Sequence, residues 1–110
     1  MDLEIETREY GAWWVVSVQG ELDIASAPRL REAVIDVVTS GHAEVIVDLD
    51  GVDFIDSTGL GVLVGALKRT RTHGGDLRIV CASRRVLDVF DLTGLDQVFV
   101  LSGSLEEAAG

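Results

Sequence analysis

Cysteine, proline and lysine each occur once in these 110 residues. The lone thiol, Cys81, excludes an internal disulfide and a cysteine-based metal cluster. Its neighbours Val80 and Ala82 at a strand end make it a buried, inert thiol. With Pro28 as the sole proline, no proline-rich linker divides the chain. His42 and His73 are the only histidines; neither stands beside a serine in a triad pattern, and both read as surface residues near helix ends. The longest uninterrupted run of apolar residues and glycine, Gly59 to Leu67, is too short to span a bilayer. The acidic N-terminus, Met1 to Glu6, lacks the basic region of a secretion signal. Bases are also scarce, with nine Lys and Arg against nineteen Asp and Glu, for a net charge of −10. Such a surface repels a phosphate backbone, which removes nucleic acid from the expected ligands. The expectation is a soluble, cytoplasmic protein with no membrane association.

What remains is a well-stocked core. Hydrophobic residues make up 47% of the chain, enough for one domain over residues 1–110 that buries about two-thirds of its unfolded surface. Residues 1–65 carry thirteen of the acids and only three of the bases. The charge excess is therefore N-terminal. It serves solubility, and it also favours rapid encounter with a basic protein partner.

Along the chain, Leu3, Ile5 and Thr7 alternate with acids in an edge-like strand over 2–10, and Gly11-Ala12 turns it into a second strand over 13–19. Trp14, Val16 and Val18 share one face of that strand; Trp13 falls on the other, where the N-terminal strand or a partner would cover it. Gly20-Glu21-Leu22-Asp23 ends the strand. Ser26 is expected to cap a helix with Pro28 in its first turn, an apolar face of Leu30, Ala33, Val34, Val37 and Val38, and a stop at Gly41. Residues 44–49 read as a buried central strand and 50–56 as a loop. A helix from Ser57 to about Thr72 follows, broken by Gly74-Gly75, with Lys68, Arg69 and Arg71 complementing its dipole. Then come a strand over 76–81, a short helix capped by Ser83 with Val86, Leu87 and Phe90 inward, a strand over 97–101, and a final short helix with Ser104 and Glu107 as capping box. The order ββαβαβαβα implies an α/β domain, a mixed sheet of about five strands flanked by about four helices.

The chain is organised around residues 53–67. Asp56, Ser57 and Thr58 all carry oxygens able to cap a helix, though one cap is enough. Leu60, Leu63, Val64 and Leu67 form its buried face. Gly59, Gly61 and Gly65 each cost a helix about 1 kcal/mol against alanine. Close approach of another backbone, or of a partner, explains that choice.

Enzyme readings fail on the residues. Val45 to Val52, with Asp48 and Asp50, resembles the first motif of haloacid dehalogenase-like phosphatases. The later acid pair for Mg²⁺ is missing, and Lys68 stands at the far end of a helix. The two aspartates are better read as turning the loop through Asx-type bonds. Asp53 and Gly59 occupy the positions where a Ca²⁺ loop needs glycine and glutamate. Gly59-x-Gly61 lies within a helix rather than in a strand-to-helix turn, so it makes a poor dinucleotide fingerprint. No catalytic residues, metal or cofactor are assigned.

A regulatory reading fits better. Ser57 stands at a helix start, where it serves as a cap or as a phosphoacceptor. The backbone N–H groups there tolerate a phosphate of about −1.5 to −2 charge, while Asp23, Asp53 and Asp56 add to the charge a docking partner would meet.

The segments Gly20-Glu21-Leu22-Asp23, Val47-Asp48-Leu49, Asp53-Phe54-Ile55-Asp56-Ser57-Thr58-Gly59-Leu60-Gly61 and Phe90-Asp91-Leu92-Thr93-Gly94-Leu95 resemble, in order and spacing, the STAS domain of bacterial anti-sigma factor antagonists. The resemblance implies a partner-switching phosphoprotein in transcription regulation, not an enzyme. Its unphosphorylated form binds an anti-sigma factor serine kinase and frees a sigma factor. Phosphorylation ends that interaction and a serine phosphatase reverses it. Ser57 falls at the phosphoacceptor position and Asp23 at the acid of the loop lining the same surface. Asp56, Thr58, Gly59, Leu60 and Gly61 match the docking segment. Thr58 is a conceivable second acceptor. Three other roles stay open: a scaffold subunit of a stress-signalling complex, a small subunit of a lipid-transport ATPase, and nucleotide binding by the domain itself. Oligomeric state is also left open.

Overall fold

Two-residue alternation in the strands and helical periodicity between them set the architecture. The computed structural model describes residues 3–110, so Asp2, expected at the head of the first strand, lies outside the described residues. The elements are β1 (Glu4–Tyr10), β2 (Trp13–Leu22), α1 (Ala27–Thr39), β3 (Glu44–Ile55), α2 (Ser57–Thr72), β4 (Asp76–Val80), α3 (Arg84–Thr93), a 3-10 turn (Leu95–Gln97), β5 (Val100–Ser102) and α4 (Leu105–Ala109). β1 and β2 form the expected antiparallel hairpin, with Tyr10 opposite Trp13. The other pairs are parallel, and the sheet order is β1-β2-β3-β4-β5.

That sequential order has a consequence. Each crossover steps in the same direction, and right-handed crossovers then place their helices on one face of the sheet. α1, α2 and α3 accordingly pack on the face carrying Val16, Val18, Val45, Val47, Leu77 and Ile79. Gly94, at φ 74°, ends α3 in the left-handed conformation that glycine adopts without steric cost.

The opposite face carries Trp13, Val15, Ile46 and Val80, and α4 covers it with the fully buried Ala108. Trp13 is therefore covered from within the chain, chiefly by the C-terminal helix, with Tyr10 of β1 packed against the same cluster. Arg78 holds that helix in place. Its guanidinium donates to the Ala108 carbonyl and stacks 4.7 Å from the centre of the Trp13 ring, a cation–π contact.

Several boundaries differ from the sequence reading. β3 does not stop at Leu49: it continues to Ile55 beside a longer β2, pairing Gly20 with Val52 and Leu22 with Ile55. Two register shifts, opposite Ser17 to Gln19 and Gly20 to Glu21 of β2, each put one extra residue into β3, which breaks its alternation and hides the strand in the sequence. β5 begins at Val100 because residues 95–97 form the 3-10 turn.

The expected caps also redistribute. Ser26 makes no side-chain cap bond to α1; its hydroxyl donates to the Glu21 carbonyl at 2.6 Å and accepts from the Asp23 N–H at 3.0 Å. Ser26 folds the loop back instead of capping the helix. Ser83 likewise makes no side-chain cap bond. Ser104 does cap α4, accepting from the Glu107 N–H at 3.2 Å.

Candidate functional site

The candidate site lies where β2 and β3 end. In parallel α/β sheets the carboxyl ends of the strands gather the connecting loops, and ligands meet the fold there. The loop from Leu22 to Ser26 and the start of α2 form this rim.

Asp56 joins the two. One carboxylate oxygen accepts from the Gly59 N–H at 3.0 Å, which caps α2. The other accepts from the Ile24 N–H at 3.1 Å, across 32 residues of chain. The Asp56 N–H in turn donates to the Leu22 carbonyl at 3.2 Å. Asp56 thus fixes both the helix start and the loop that carries Asp23. Asp56→Ala should cost about 1–2 kcal/mol, a cap plus one hydrogen bond. A lower urea midpoint, with faster exchange of the Ile24 amide, is the expected result.

Because Asp56 takes the cap, Ser57 is spared that duty. It is the first residue of α2, exposed, and no hydrogen bond from its hydroxyl is found among the described residues. Thr58 is half-buried and lines the groove between α1 and α2.

The glycines divide by function. A methyl at Gly59 would lie 2.7 Å from the Leu22 carbonyl oxygen and 2.9 Å from Ile55 Cγ1. Packing within the fold therefore explains Gly59. Gly61 and Gly65 face open space, with nothing within 4 Å of an added Cβ. Leu60 is buried in the core, so it anchors the helix and does not offer itself to solvent.

Asp23 is half-buried, and its carboxylate oxygen accepts from the Ala25 and Ser26 N–H groups, each at 3.0 Å. The Ser26 N–H is the main reason its carboxyl titrates below the ordinary carboxylate range. A folded pKa below the unfolded one stabilises the fold above the unfolded value of about 3.9. That stabilisation fades as pH falls through the lower folded value. Asp23→Asn should therefore lose less stability than the parent over that acid interval, measured by thermal unfolding against pH.

Asp48 and Asp50 are engaged with backbone, but only the Asp48 bond is of the expected Asx type, and it lies within β3 rather than turning a loop. Asp48 accepts from the Asp50 N–H and Asp50 from the Ala82 N–H, each at 3.0 Å. Among the described residues no three His, Cys, Asp or Glu side chains are grouped to hold a metal ion, and no helix is long and apolar enough to cross a membrane. Cys81 is buried, and burial pushes its thiol up.

Two side chains on this rim escaped the sequence reading. Ile24 is 74% exposed and Phe54 46% exposed. Both are large and apolar. Ile24 precedes α1 by a short turn, and Phe54 pairs with Glu21 at the end of β3.

The family model described as "STAS domain" matches residues 4–108. The chain belongs to the STAS domain family. Among similar STAS proteins, the anti-sigma-B factor antagonist of Bacillus subtilis (strain 168) is 35% identical over 106 residues, which is 96% of each chain. The anti-sigma-B factor antagonist of Staphylococcus epidermidis is 37% identical over 106 residues, covering 96% of this chain and 98% of its own. A crystal structure of an anti-sigma factor antagonist from Mycobacterium paratuberculosis matches with a TM-score of 0.89 at 30% identity, over 98% of this chain and 92% of that one.

Proposed function

We propose that this STAS protein is an anti-sigma factor antagonist switched by phosphorylation of Ser57. Unphosphorylated, it binds an anti-sigma factor serine kinase and so releases a sigma factor; phosphorylated, it does not bind. A serine phosphatase resets it. The protein acts as a binding module and contributes no catalysis of its own. The observation that carries this reading is the division of labour at the start of α2: Asp56 caps the helix, and Ser57 is exposed beside it.

The docking surface consists of Ser57, Thr58 and Gly61 on α2 with Asp23 on the facing loop. Ile24 and Phe54 supply its apolar contacts, as desolvated apolar side chains do at the centre of interfaces. Asp56, Gly59 and Leu60 hold these groups in position from beneath. Two antagonists more than 30% identical over nearly the whole chain support the assignment.

The test is incubation with ATP and an anti-sigma factor serine kinase from the same cell, followed by phosphosite mapping. Modification at Ser57, lost in Ser57→Ala, supports the reading. A kinase that binds the protein but modifies another residue, or modifies Ser57→Ala equally, removes Ser57 from the role.

A further inference from the structure

A second pocket lies at the other end of β3 from Ser57, where α1 ends and β3 begins. It is a cavity of about 490 Å³ between α1 and the hairpin, lined by Ile5, Trp14, Glu32, Asp36, Val37 and His42 among others. Ile5 and Val37 form an apolar floor against the core. Trp14 is half-buried, with the His42 ring packed on it at a centroid distance of 4.5 Å and a tilt of 36°. Glu32 and Asp36 stand one turn apart on α1, both exposed, so they repel one another across adjacent turns. Neither is in an ion pair among the described residues.

Asp36 is also placed against the helix dipole. The C-terminal end of a helix carries partial negative charge and favours a cation. α2 follows that rule with Arg69 and Arg71 in its last turn. α1 has no base in its last turn and has Asp36 there instead. Arg29 also lines the pocket, one turn before Glu32 and seven residues, about 10 Å along the helix, before Asp36; its guanidinium donates to the Leu3 carbonyl. The pocket therefore joins an aromatic wall, an apolar floor, two unpaired carboxylates and a helix C-terminus.

We infer that this pocket binds an organic cation, a guanidinium or ammonium group on a short apolar stem. The charge would meet Glu32, Asp36 and the end of α1. The stem would lie on Val37 and Ile5, beside the Trp14–His42 ring pair. The site is independent of the Ser57 switch.

The test uses the full chain, isotope-labelled and followed by NMR. It is titrated with n-butylguanidinium, with the uncharged n-butylurea of similar shape, and with the peptide N-acetyl-Gly-Arg-Gly-amide. The expected result is a saturating shift of the Trp14 indole and the Asp36 and His42 amides with butylguanidinium and none with butylurea. The double variant Glu32→Gln, Asp36→Asn should weaken binding at least about tenfold, or about 1.4 kcal/mol, while its thermal midpoint holds or rises, because the repulsion and the unfavourable dipole contact are removed. Binding of the peptide as tightly as butylguanidinium assigns the site to an arginine side chain of a protein partner. Exclusion of the peptide assigns it to a free small cation. Equal shifts with butylurea, shifts spread evenly over the acids of β1, or unchanged affinity in the double variant would overturn the proposal.

Discussion

Ser57→Asp is expected to weaken binding to the anti-sigma factor kinase by about a hundredfold, or about 2.8 kcal/mol. Ser57→Ala should bind nearly as well as the parent, since no hydrogen bond from the hydroxyl is found among the described residues. The effect belongs to the interface, not to the fold. A negative charge in the first turn of α2 meets the positive end of the helix dipole and is favoured there by about 0.3–1 kcal/mol. Asp53 and Asp56 stand close by in sequence, and their repulsion offsets part of that gain. The thermal midpoint of Ser57→Asp should therefore stay close to the parent. A kinase surface shaped to receive a neutral serine, however, meets added charge beside Asp23 and Asp56, with Ile24 and Phe54 still needing to be desolvated. Calorimetric titration of the three proteins against one kinase preparation measures the difference.

Gly59→Ala should destabilise the protein by about 2–3 kcal/mol, although alanine is the better helix former. The added methyl meets the Leu22 carbonyl oxygen at 2.7 Å and Leu22 Cγ at 2.9 Å. The first obstacle is backbone, which cannot rotate away. Relief requires α2 to lift from the end of β2, and that disturbs the Asp56–Ile24 hydrogen bond as well. For a domain of this size such a loss lowers the thermal midpoint by roughly 10 °C or more. Gly61→Ala and Gly65→Ala should behave oppositely, each gaining up to about 1 kcal/mol, because an added Cβ there meets nothing within 4 Å. The Gly61 variant should nonetheless bind the kinase less well. Stability gained together with binding lost is the mark of a residue kept small for a partner. Urea unfolding of the three variants separates them.

The helix at the centre of the site was legible in its extent, though not in its cap. The surplus of capping oxygens at 56–58, the apolar period from Leu60 to Leu67 and the paired glycines at 74–75 point to one segment, and α2 runs from Ser57 to Thr72. The hairpin and the order of strands and helices were legible for the same reason: local pattern and turn chemistry agreed. The continuation of β3 past Leu49 was not. Val52 and Ile55 are buried three residues apart, a spacing that departs from the strand period of two and suits a helix until the extra residues of β3 opposite β2 are known. Nor was the choice of cap readable among three adjacent residues that could all serve. Asp56 takes it because its second oxygen also reaches Ile24, a partner 32 residues away. Ile24 and Phe54 were passed over because an isolated apolar residue beside a loop looks like core in one dimension. The cover of Trp13 fell chiefly to a five-residue helix, Leu105–Ala109, too short to show a period.

The most direct test of the Ser57 switch is one affinity measured twice on the same protein, before and after stoichiometric phosphorylation at Ser57, with the thermal midpoint recorded each time. The expected result is a loss of kinase binding of about a hundredfold or more with the midpoint nearly unchanged. Retained affinity in the phosphorylated protein, or affinity lost only because the fold has melted, would contradict a switch that works at the surface.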